Sequence, residues 1–96
     1  MYCVYILFSF KLDRFYIGTT DNIDSRLAEH NNSEYPDAFT TRGIPWELFL
    51  IIENLTSSQA YAIEKHIKKM KSKIFIKNLK TYPRLIDKLK ETYVNR

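Results

Sequence analysis

Two short apolar runs open the chain, Tyr2-Cys3-Val4-Tyr5-Ile6-Leu7-Phe8 and Phe15-Tyr16-Ile17-Gly18, on either side of a polar turn at Lys11-Leu12-Asp13-Arg14. Their β-favouring residues and the turn between them predict a hairpin. Side chains alternate between the faces of a strand, so Tyr5 and Tyr16 can share one face of the paired strands. Thr19 to Asn22 reads as a turn into a helix that ends near His30, with Asp21 as N-cap and Asp24 at the positive end of the helix dipole. Ile23, Leu27 and Ala28 supply its apolar stripe, while Arg26 and His30 stand one turn apart on a neighbouring face.

Turn formers fill Asn31-Asn32-Ser33-Glu34-Tyr35-Pro36-Asp37, and the pattern predicts an irregular connection as far as Pro45. Trp46 to Glu53 is almost continuously apolar in its middle, the pattern of a strand at the sheet centre or covered on both faces. Thr56 and Gln59 then have capping-box spacing, and Ala60, Ile63, Ile67 and Met70 recur at helical intervals, with Glu64 at the edge of that stripe. Ser72 opens a further helix carrying Ile74, Phe75 and Leu79, and Pro83 opens a last one carrying Leu85, Ile86, Leu89 and Tyr93. The order is ββαβααα. It predicts an α+β fold with a small, mainly antiparallel three-stranded sheet flanked by helices.

Composition narrows this little, but charge changes it. Ninety-six residues with 15% aromatics and two glycines predict one folded domain over 1–96. No apolar run, Leu48 to Ile52 included, approaches the length of a membrane span, and no basic region precedes an apolar leader. A lone Cys3 cannot close an internal disulfide, which favours a buried strand thiol in the reducing cytoplasm. Residues 1–64 hold four basic and nine acidic side chains, whereas residues 65–96 hold eleven basic and two acidic ones. The basic part, from about 65 to 96, has the electrostatic footprint of a polyanion-binding surface. A solvated helical surface is the plain alternative.

The ordered set of residues resembles the GIY-YIG nuclease superfamily, in particular its small single-domain members of the excinuclease-C-like N-terminal type. The first motif falls on Cys3-Val4-Tyr5, with Cys3 where the family has glycine, and the second on Tyr16-Ile17-Gly18. Helical Arg26 and His30 follow, then Thr41-Arg42-Gly43 ahead of Trp46-Glu47-Leu48, then Glu64 in Ala62-Ile63-Glu64-Lys65. The resemblance covers roughly residues 2 to 80. It implies a DNA endonuclease with one divalent metal, Mg2+ or Mn2+, held by Glu64, and a catalytic set of Tyr5, Tyr16, Arg26, His30 and Glu64. A late asparagine of the family has Asn78 as its candidate here.

Hydrolysis of a phosphodiester needs an oriented water, a proton acceptor, charge stabilisation and help for the departing 3′ oxygen. Arg26 offers a planar fork to the phosphate. Tyr5 is the expected base or proton relay, provided that Arg26 and the metal favour a phenolate whose ordinary pKa is about 10. Tyr16 would orient the water or phosphate, and His30 would share proton transfer. Arg42, Lys65, Lys68, Lys69, Lys71, Lys73 and Lys77 are the expected nucleic-acid contacts, with Thr41 beside them. Each has a plain alternative: Arg26 can pair with Asp24 or Glu29, Glu64 with Lys68, and His30 can serve only the helix end, while His66 has no evident partner. The chain then reads as a DNA endonuclease, structure-directed or weakly selective, acting in repair or processing. The other readings are a non-catalytic module for DNA or RNA branches and a scaffold docking proteins through its lysine helices.

Overall fold

A central strand of unusual burial holds the architecture together. In the computed structural model, which describes residues 1–32 and 39–94, β1 (Tyr2–Ser9) is buried without a break from Cys3 to Leu7. β2 (Arg14–Thr20) pairs with it antiparallel on one side and β3 (Glu47–Leu55) antiparallel on the other, giving the order β2-β1-β3. The three-stranded antiparallel sheet flanked by helices is the expected fold. Of the two places its apolar run allows, β3 takes an edge of a sheet packed on both sides and not the centre, and Leu48 remains 43% exposed. Apolar residues cover both faces of the sheet, so an edge strand here can be as apolar as a central one.

Strand alternation gives each face its own core. Val4 and Ile6 pack with Ile52, Ala60, Ile63 and Ile67 on the side of α3 (Ser57–Met70). Tyr5, Leu7 and Trp46 form the opposite core, against Ile23 and Leu27 of α1 (Ile23–Asn31). α4 (Lys73–Thr81) adds Ile76 and Leu79 to the first core, and α5 (Arg84–Thr92) adds Leu89.

Local signals are largely obeyed, with informative exceptions. Ser72 accepts from Phe75 N at 3.0 Å and caps α4. Asn22, not Asp21, caps α1, because its Oδ1 accepts from Ser25 N at 3.1 Å. Thr56 caps α3 by accepting from Gln59 N, but the Gln59 amide donates to Lys90 O at 3.1 Å instead of turning back, and so ties α3 to α5. Pro83 stands at the N-cap of α5, which starts at Arg84 as its place predicts.

Three side chains assigned to apolar stripes lie outside. Ala28 is exposed, Met70 at the end of α3 is 46% exposed, and Ile74 in the first turn of α4 is 72% exposed, where Ile76 and Leu79 take the inward face. Within the expected irregular connection, Phe39–Arg42 forms a short helix, α2. The turn formers from Ser33 to Asp37 lie outside the described residues, as does Arg96. Among the described residues, no helix is long and apolar enough to cross a membrane.

Candidate active site

The hairpin register sets the geometry of the tyrosines. Tyr5 pairs with Gly18 and Leu7 with Tyr16, so the tyrosines are diagonal neighbours on one face, with ring centroids 6.3 Å apart. Gly18 makes room for this. A Cβ there would collide with the Tyr5 hydroxyl and ring, so the phenol lies directly across the glycine of the second motif.

His30 completes the cluster from α1. Its Nε2 is 3.3 Å from Tyr5 Oη, and its ring meets Tyr16 edge-on at 4.9 Å between centroids. The end of α1 is fastened next to it. Asn31 accepts from Trp46 N at 2.7 Å and donates to Trp46 O at 3.0 Å, while Trp46 Nε1 donates to Thr40 O at 2.6 Å. Trp46 in turn needs Gly43, where a Cβ would strike its ring. These contacts join α1, α2 and the start of β3 behind the histidine. Asn31, Thr40 and Trp46 are positioning residues that sequence reading missed, because a turn-forming asparagine and a strand-leading tryptophan look ordinary until they meet.

Burial sets the protonation of the pair. Tyr5 is 2% exposed, and desolvation pushes its phenol well above the usual range; Tyr16 and Glu64 add to this, while Arg26 opposes it. Arg26 favours the phenolate as expected, but loss of solvent outweighs the cation. His30, 4% exposed, is lowered from 6.5 by burial first and Arg26 second, with Glu29 opposing. Both groups are thus neutral at neutral pH. Either can donate across 3.3 Å, according to the imidazole tautomer.

This has a consequence for stability. The unfolded chain takes up a proton at His30 before the folded chain does, so the stability held by a neutral His30 is complete above about pH 6.5 and is lost as pH falls from there toward its lower folded value. Between pH 7.5 and 5.5 the urea midpoint of the wild type should drop further than that of His30→Gln, which cannot titrate. Equal drops would show that His30 is not held neutral.

Arg26 is 38% exposed and pairs loosely with Glu29, Nε to Oε2 at 3.7 Å. Such a pair contributes little, and opening it for another anion costs little. Glu64 comes from the other side of the sheet. Thr19, which pairs with Val4 and so faces α3, donates from Oγ1 to Glu64 Oε1 at 2.6 Å. Lys68 donates to Glu64 Oε2 at 2.9 Å, the helix ion pair anticipated as the plain alternative. Thr19 escaped the sequence reading; its only sign is its place beside Gly18 on the strand. Since Arg26 and Glu64 both act on the Tyr5 phenol, the two charges lie within electrostatic reach of one hydroxyl.

The expected nucleic-acid contacts divide among several surfaces. Lys68, Lys71 and Lys73 line a cleft of 290 Å³ with Arg14, beside Phe15 and Ile17 of β2. Lys77 belongs to an adjoining hollow at Phe8 and Phe10. Lys65 and Lys69 lie elsewhere, beside His66 and Tyr93. His66 has a partner after all, with Nδ1 2.8 Å from Tyr93 Oη. Arg42 is exposed at the end of α2, and Thr41 beside it is half-buried. Asn78 sits on α4, where its carbonyl accepts from Tyr82 N at the helix end; none of the side-chain bonds described here links it to the Tyr5 cluster.

The donor set can be weighed for a metal. Among the described residues, no group of three or more His, Cys, Asp or Glu side chains could cage an ion. One carboxylate, 19% exposed and oriented by a hydroxyl, instead suits an ion that keeps most of its waters, as Mg2+ does. Glu64 fits that role once Lys68, 53% exposed, releases Oε2.

Comparison with known proteins agrees with the geometry. No curated protein and no solved structure matches the chain. The family model of the GIY-YIG catalytic domain matches residues 1–80, which spans all three strands, α1 and α3 and hence every residue of the cluster. The chain belongs to the GIY-YIG family, a family of nucleases generally dependent on divalent metal.

Proposed function

We propose that this chain is a metal-dependent endonuclease hydrolysing phosphodiester bonds in DNA, with Tyr5, Tyr16, Arg26, His30 and Glu64 as its catalytic set. One observation carries the reading: two tyrosines and a histidine from three elements meet in one cluster, with a cation and a carboxylate acting on the same phenol. A purely structural tyrosine needs none of these neighbours.

Arg26, half-exposed and weakly engaged, binds the scissile phosphate and stabilises the charge added to it. Tyr16, half-buried where Tyr5 is buried, orients the attacking water. Tyr5 takes the proton of that water while passing its own to His30 Nε2, so that no free phenolate has to form in a desolvated place. Water attacks phosphorus, the bond to O3′ breaks, the departing oxygen takes a proton from solvent, and a 3′ hydroxyl and a 5′ phosphate result. Glu64 would hold a divalent ion, Mg2+ or Mn2+, which when bound would supply Lewis-acid stabilisation of the departing oxygen. In this reading the whole chain works as one nuclease unit in the cytoplasm. It acts in DNA repair or processing and selects structure more than sequence.

The alternative, a non-catalytic binding module of the same fold, has one observation in its favour: both carboxylate oxygens of Glu64 are engaged, by Thr19 and by Lys68. Tyr5→Phe separates the two. The ring stays across Gly18 and the fold persists, but the relay is cut, and cleavage of supercoiled plasmid should fall about 10²- to 10⁴-fold with DNA affinity retained. Undiminished cleavage would remove Tyr5 from the mechanism.

A further inference from the structure

At the end of the sheet away from Tyr5, four phenylalanines form a chain of contacts that no part of the catalytic site uses. Phe10 meets Phe8 edge-on at 4.8 Å, Phe8 meets Phe15 at 4.9 Å, and Phe15 meets Phe49 at 4.9 Å. Phe10 belongs to the β1–β2 turn and is 73% exposed. Apart from its edge contact with Phe8 the Phe10 ring stands outside the core, and with the rings behind it forms a contiguous aromatic surface that a ligand could cover. The hollow beside it, 370 Å³, is bordered by Lys73, Lys77 and Lys80 of α4. These lie at helical spacing on one face, and Lys80 Nζ stands 4.6 Å over the Phe49 ring. Two carboxylates oppose them: Asp13, which Lys73 already engages at 3.3 Å, and exposed Glu47.

The hollow is continuous with the proposed site. It shares Phe15 and Lys73 with the basic cleft that reaches Lys68, the partner of Glu64. Phe15 and Thr19 stand on the same strand and the same face, four residues or roughly 13 Å apart. At roughly 3.4 Å per stacked nucleotide, a strand covers that distance in about four nucleotides, and in fewer when extended.

We infer that this end of the sheet is a stacking platform for unpaired bases: Phe10 and Phe8 receive the bases, Lys77 and Lys80 the phosphates, and the Arg14–Lys71 cleft leads the strand to Glu64. Aromatic faces beside a row of cations are the means by which proteins hold single strands without reading sequence. A duplex keeps its base faces to itself and has nothing to offer Phe10. The inference rests on the nuclease reading and sharpens it, since it makes the substrate a DNA with unpaired nucleotides a few positions from the scissile phosphate.

The test is fluorescence anisotropy in chelator, with a labelled fork carrying one single-stranded arm and a blunt duplex of the same paired sequence. Phe10→Ala should weaken fork binding about 5- to 100-fold and leave the duplex within about 2-fold. Lys77→Ala should weaken the fork and reduce its salt slope by about one. In Phe10→Trp, indole emission should be quenched by the fork over a constant background, because native Trp46 is 2% exposed. Wild-type affinity of Phe10→Ala for the fork, or unchanged emission from Phe10→Trp, overturns the inference alone if the wild type still cleaves plasmid. Dependence on Phe10 for a glutamate- and phenylalanine-rich peptide, and not for the fork, overturns it in favour of a protein-docking surface. Failure of the wild type to bind either oligonucleotide overturns the nuclease reading as well.

Discussion

Gly18→Ala is expected to destabilise the fold by about 1–3 kcal/mol and to reduce cleavage further than that loss of folded protein explains. The reason is local. The new Cβ would lie on the Tyr5 hydroxyl and ring, and Tyr5 is 2% exposed, enclosed by Leu7, Trp46, Tyr16 and His30. Either the phenol moves off its neighbours or β2 moves off β1, and both displace Oη from His30 Nε2. Urea unfolding followed through Trp46 measures the first effect. Single-turnover cleavage at a temperature where the variant is fully folded measures the second. A variant as stable and as active as the wild type would mean that Tyr5 has another resting place, and the proposed relay would lose its geometry.

Glu64→Gln is expected to have the largest effect on the reaction, about 10³-fold or more on rate, with the fold and DNA affinity little changed. The amide oxygen of glutamine can still accept from Thr19, so the local bonding survives. The lost ion pair with Lys68 involves a half-exposed ammonium and contributes little to stability. What disappears is the negative charge proposed to hold the divalent ion. Lewis-acid help at a departing oxygen amounts to several kcal/mol, and about 4 kcal/mol is a thousandfold in rate. The measurement is a time course at saturating Mg2+ with a parallel binding titration. Weakened binding in proportion to weakened cleavage would instead make Glu64 a structural residue.

Much of the fold is legible in the chain because alternation and helical periodicity are local. The hairpin, the third strand and the helices other than the short α2 follow from them. Strand order does not. β1 and β3 both carry continuous apolar runs, Tyr2 to Phe8 and Leu48 to Ile52, and β1 takes the centre; where both faces of the sheet carry a core, such a run does not tell edge from middle. The site shows the same division. Tyr5, Tyr16, Arg26, His30 and Glu64 stand out as a set in family order, but their working partners are distant: Tyr5 meets His30 across 25 residues and Thr19 meets Glu64 across 45. No period marks such pairs. The protonation of Tyr5 was equally invisible, since it depends on how deeply a strand tyrosine sinks once the sheet is covered.

The most direct measurement of the central claim is the conversion of supercoiled plasmid by the purified wild-type chain as Mg2+ is raised from zero in chelator. A site built from Tyr5, Tyr16, Arg26, His30 and Glu64 predicts nicked and then linear products whose rate rises with Mg2+ and saturates, and none in chelator. Intact plasmid at every Mg2+ and Mn2+ concentration, from a folded protein that binds the DNA, would contradict it and leave a binding module in its place.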